Sequence, residues 1–215
     1  MLSACLEVLG MTMSVTGSLL VMIACGLPMW KVTAFMDSNI VVAQTRWDGL
    51  WMSCVVQSTG QMQCKIRDSM LSLSHDLQAA RALTVISALL GVVGLTVTVA
   101  GAQCTTCVRD ERVKEKVVHA GGVIFIVSGL CALVPLCWMA NNIIADFYDL
   151  RVHSSQKWEI GASIYIGWAA SALLLLGGSL LCCSFSQESR SSYPIKYAPT
   201  TTFTSGGDLD KKQYV

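Results

Sequence analysis

Cysteine is the residue type through which this 215-residue chain could most readily do chemistry, and it has ten of them. Cys104-Thr105-Thr106-Cys107 is a C-x-x-C, a spacing that can lower a thiol pKa and support thiol–disulfide exchange. Cys54 and Cys64 stand with nine residues between them in a long stretch without other cysteines, and Cys182-Cys183 form an adjacent pair. The chain ends Tyr214-Val215, an apolar side chain beside a free carboxylate, which is the pattern PDZ domains capture as an added edge strand. No catalytic triad, metal-ligand cluster, phosphate-binding glycine loop or Asn-x-Ser/Thr sequon is present in the sequence, so neither an enzyme nor a cofactor is expected.

What the thiols can do depends on the elements that carry them. Hydrophobic residues make up 53% of the chain and charged ones 13%, with mean hydropathy +0.55, a composition that excludes a soluble globule. Lys+Arg 15 against Asp+Glu 14 leaves a net charge of +1, with no basic block to attract nucleic acid. Four windows lack charge: Val8–Leu27, Ala82–Ala102, Val117–Met139 and Ile160–Cys183. About twenty apolar residues at roughly 1.5 Å rise cross a core of about 30 Å, and lipid demands internally satisfied backbone, so each window is read as a spanning helix. Ala24-Cys25-Gly26 could serve signal-peptide cleavage, but residues 1–7 hold no Lys or Arg, so the first window is kept as a span.

Four spans put both termini on one side. Arg109, Arg112, Lys114 and Lys116 crowd the 103–116 loop, which makes that loop cytosolic and places 28–81 and 140–159 outside. The cytosolic parts are then 1–7, 103–116 and 184–215. Cys104, Cys107, Cys182 and Cys183 become juxtamembrane thiols on the reducing side, candidates for S-palmitoylation rather than for a membrane thiol oxidoreductase using Cys104 and Cys107. Cys5, Cys25, Cys131 and Cys137 read as small buried hydrophobes. Cys54 and Cys64, alone in an oxidising compartment, most simply pair. No Asp, Glu, Lys or Arg interrupts any window, so a pore must run between loops of several chains rather than through the bundle.

In the first loop, β-branched and aromatic runs separated by Met36-Asp37-Ser38-Asn39 and Thr59-Gly60-Gln61 predict short strands, with the cysteines flanking a hairpin. Asp68–Leu83 changes to helical spacing and predicts a short amphipathic helix leading into the second span. Pro135 predicts a bend in the third span, and Ser163, Gly167 and Ser171 a small-residue face on the fourth. Gap-junction proteins carry cysteines in both outer loops and tetraspanins carry theirs in the second, so neither class fits.

Trp30, Gly49-Leu50-Trp51, Cys54, Cys64 and Arg81 reproduce the W…GLW…C…C…R signature of the claudins, which the chain resembles across all four spans, both loops, Asp146-Phe147-Tyr148 and the tail. The resemblance implies an all-α membrane bundle, left-handed and of four helices, capped by a small extracellular β-sheet with four strands from the first loop and one from the second. It implies a tight-junction adhesion protein at the plasma membrane that polymerises with itself and other claudins in cis and trans, with zonula-occludens PDZ scaffolds bound at Tyr214-Val215. Met70 and Phe147 would serve cis contacts, with the alternative that Met70 covers its own core; Phe147, Tyr148, Trp158 and Glu159 would serve trans contacts. Leu150 stands where many relatives have proline, and Trp158 where they have tyrosine.

Lys65 beside Cys64, with Lys31, Asp48 and Asp68, would set charge selectivity. Over 28–76 four basic residues face four acidic ones, and a lysine beside the bridge repels cations, so the chain is read as a barrier type, the alternative being an anion-preferring paracellular channel. Trp30, Leu50 and Trp51 are either a foot in the outer leaflet or a core between sheet and bundle. Arg81 either pairs with an acid of the sheet or snorkels to the headgroups. His119 reads as an interface residue.

Overall fold

The computed structural model describes residues 2–33, 45–57, 60–67, 74–102, 111–151 and 157–191. Four helices carry it: α1 (Leu2–Gly26), α2 (His75–Gly101), α3 (Glu111–Tyr148) and α4 (Ala162–Ser191). Each contains a stretch long and apolar enough to cross a membrane. α1 packs on α4, α4 on α3, and α3 on α2, closing a bundle whose interior holds Val21, Phe125, Ala132, Ala170 and Leu174. Small residues allow the close approach: a Cβ on Gly177 would stand 2.4 Å from Ser14 Oγ. Between α2 and α3, Ser87 and Ser128 each donate to the other's carbonyl at 2.8 Å, pairing buried hydroxyls that lipid could not satisfy.

Helix boundaries depart from the sequence reading at both loops. α2 is continuous from His75, so residues 75–81 are the first turns of the spanning helix rather than the end of a separate one; 68–73 lie outside the described residues. α3 runs nine residues beyond Met139, through what the sequence reads as loop, because Ala140 and Ile143 continue its apolar face onto the core. Pro135 lies inside it. Cys5 and Cys137, read as buried, are exposed on outer helix faces, since an apolar window in lipid gives a thiol no reason to turn inward.

The sheet contains β1 (Lys31–Thr33), β2 (Thr45–Asp48), β3 (Met52–Val56), β4 (Met62–Ile66) and β5 (Trp158–Ile160), all antiparallel in the order β4-β3-β2-β1-β5. Gly60, at φ 77°, turns β3 into β4. Trp30, Leu50, Leu77, Leu136, Met139 and Ile164 form the core that seats the sheet on one end of the bundle.

Candidate functional site

The signature residues meet at the junction between sheet and bundle. Trp30 is 1% exposed, and its indole Nε1 donates to Ala24 O at 2.9 Å, satisfying a carbonyl of the last turn of α1. Gly49 lies against the chain leaving α1: a Cβ there would sit 2.4 Å from Pro28 Cα, so only glycine fits. Leu50 is fully buried, and its carbonyl accepts from Arg81 Nε at 2.6 Å. The Arg81 guanidinium lies 4.9 Å from the Trp51 ring centroid, and Trp51 Nε1 faces Cys25 Sγ at 3.5 Å. At 4% exposure Arg81 does not snorkel; it ties α2 to the turn between β2 and β3. Trp30 and Leu50 are core rather than a lipid-dipping foot. Gly161, which the sequence reading passed over, closes the other side: its N–H donates to Trp30 O and Ser163 N–H to Met29 O, both at 3.0 Å. A lone glycine directly after a strand was the available signal.

Cys54 and Cys64 are directly opposite on β3 and β4, bonded, with Cα atoms 4.0 Å apart. A closed loop of this size contributes roughly 2 to 3 kcal/mol to the order of the hairpin. The same register aligns Lys65 with Ser53, Ser53 with Asp48, and Asp48 with Lys31, placing three of the four predicted selectivity residues in one row on one sheet face. Lys65 is exposed, Lys31 half-buried, and Asp48 largely buried between Arg46 and Arg67. Asp68 and Met70 fall outside the described residues, as do Cys104, Cys107, Tyr214 and Val215.

The predicted trans-contact residues also converge. Phe147, Tyr148, Trp158 and Glu159 line a groove of about 340 Å³ together with Ile143, Ile144, Ile160 and Tyr165. Phe147 and Tyr148 pack edge to face at 5.6 Å; Lys157 Nζ lies 5.3 Å from the Phe147 ring, and Arg46 Cζ lies 5.7 Å from Trp158. Tyr148, on its rim, and Leu150 are strongly exposed at and just beyond the end of α3. At the opposite end of the bundle Cys182 Sγ is turned inward to His119 O at 3.9 Å, whereas Cys183 is exposed. Among the described residues no cluster of three His, Cys, Asp or Glu could hold a metal.

The model of the PMP-22/EMP/MP20/Claudin family matches residues 4–181. The chain is 56% identical to mouse claudin-5 and 57% to human claudin-5, each over 216 residues and 99% of both proteins, and 54% identical to human claudin-4 over 92% of this chain and 95% of that protein. The chain belongs to the claudin family. This claudin is therefore a multi-pass tight-junction membrane protein and not an enzyme, and the C-x-x-C has no catalytic role to fill. Its junction explains the signature in physical terms: one glycine for backbone clearance, one indole for a helix-end carbonyl, one arginine for a turn carbonyl.

Proposed function

We propose that this claudin forms tight-junction strands of the barrier type, with the sheet outside the cell and both termini in the cytosol. The observation that carries the reading is the Lys65–Asp48–Lys31 row: its carboxylate is enclosed by two arginines, while a lysine stands exposed at the outer edge strand. A path along such a face disfavours cations. The orientation is supported by the disulfide, which belongs in an oxidising compartment, and by the density of Lys and Arg in 103–116.

Expression in cells that lack strands, followed by resistance and dilution-potential measurement, tests the reading. High resistance without cation preference is expected, and strong cation preference overturns it. An anion-preferring channel is the second reading, favoured by the same exposed Lys65; high chloride conductance would select it.

Lateral polymerisation draws on Met70 and Phe147, and the groove face of Phe147, Tyr148, Trp158 and Glu159 meets the opposite membrane. The tail supports binding to zonula-occludens scaffolds. Deleting Val215 is expected to remove affinity for the first PDZ domain of such a scaffold in a peptide titration, because the terminal carboxylate and its apolar neighbour are what the domain reads. Unchanged affinity would refute that assignment.

Acylation of the cytosolic thiols is expected to discriminate within the pair on α4. Cys183 is open to a membrane-bound transferase and Cys182 is turned toward α3. Acyl-exchange labelling in a Cys104/Cys107 serine background should fall by most of its signal in C183S and little in C182S; the reverse order overturns the assignment.

A further inference from the structure

The carboxylate in the charged row is paired from a residue that ordinary strand pairing does not put beside it. Asp48 Oδ1 lies 3.1 Å from Arg67 Nη2 and 3.6 Å from Arg46 Nε, and neither approach has hydrogen-bond geometry, so the pairing is by charge alone. Arg67 follows β4, two strands away, and its backbone is held by donation to Trp51 O at 3.0 Å. Asp48 borders a cavity of about 110 Å³ that Lys31, Arg67 and Asp76 also line, a space large enough for a few water molecules. Asp76 is engaged separately, accepting from Asn142 Nδ2 at 3.2 Å.

We infer that Arg67 is a charge-selectivity residue of this claudin: its guanidinium cancels Asp48, and without it the row presents a carboxylate beside Lys65. The inference rests on the reading that this sheet face borders the paracellular path. Two strand spacings place Asp48 about 10 Å from Lys65, so an ion passing between them lies about 5 Å from each, inside the Debye length of about 8 Å at physiological salt. An uncovered charge at Asp48 therefore acts on the same ions as Lys65. Arg46, half exposed, offsets Asp48 only weakly, because its Nε is farther away and its head is open to water.

Dilution potentials across layers of strand-deficient cells expressing R67Q, D48N, the double variant and K65Q test this. R67Q should raise the sodium-to-chloride permeability ratio roughly two- to fourfold, as expected for one partly screened charge at this range. D48N should lower it by a similar factor, and the double variant should return it toward the wild-type ratio. A ratio unchanged in R67Q while K65Q shifts it overturns the inference and leaves the path reading standing. Ratios unchanged in every variant, K65Q included, overturn both. Where R67Q makes no strands by freeze-fracture microscopy, D48N decides alone, and an unchanged ratio there overturns the inference.

Discussion

Replacing Gly161 with alanine is expected to destabilise this claudin enough to stop its delivery to the cell surface. A Cβ at that position would stand 2.0 Å from Met29 O and 2.6 Å from Met29 C, which are backbone atoms that no rotamer change can move. Relief requires β5 to separate from the chain leaving α1, breaking the Gly161–Trp30 and Ser163–Met29 hydrogen bonds at the buried junction. Each such bond contributes about 1 kcal/mol and more when a partner is left unsatisfied, and the lost packing adds to it. The total is roughly 3 kcal/mol or more, which for a chain of this size lowers Tm by about 10 °C. The expected result is loss of surface delivery and a strongly lowered melting temperature in detergent. Gly26→Ala is the control, since nothing lies within 4 Å of its Cβ, and it should melt close to wild type. A G161A protein that also melts close to wild type shows that β5 is not held against Met29 as described.

Removing the Arg81 head group is expected to have the next largest effect. Arg81 is 4% exposed, donates to Leu50 O at 2.6 Å and lies over Trp51, so it joins α2, a turn carbonyl and an aromatic face at once. R81A leaves the Leu50 carbonyl without this donor and removes the cation from the ring. A charge-assisted bond at about 1.5 to 3 kcal/mol and a desolvated cation–π contact at about 1 to 2 kcal/mol give a loss of roughly 2.5 to 5 kcal/mol. R81K retains the charge but not the planar fork, so it can bond or stack but not do both. Thermal unfolding should place R81K between R81A and wild type. Wild-type stability in R81K would show that the guanidinium's shape is not used, and wild-type stability in R81A that the junction does not depend on this residue.

The legible part of this molecule was set by local rules. Uncharged runs of about twenty residues in a chain with few charges leave lipid as their solvent, and lipid leaves the helix as their conformation, so four spans follow from residue type alone. Two cysteines alone between two spans had one partner each, and the structure pairs them. Claudin membership was readable because its signature combines rare residue types at defined spacings, as the match over residues 4–181 bears out. The overshoot of α3 was less legible: periodicity says where an apolar face could continue, while only contact with Leu136, Met139 and Ile164 shows that it does.

From composition, charge density and cysteine count, the sequence by itself determined four spans and a disulfide-bonded first loop, because those properties act through solvent and compartment rather than through any particular contact; the signature residues added the resemblance to claudins. Tertiary structure alone decided which charges are neighbours. Asp48 and Lys65 are far apart in the chain and two strands apart in space, and Arg67 reaches Asp48 only because the chain leaving β4 reaches back across β3 to β2. Gly161 meets Met29 across 132 positions because β5 pairs with β1. Pairing of that kind depends on register and sheet order, which no local pattern encodes, and a shift of one residue would have put the selectivity row on the opposite face.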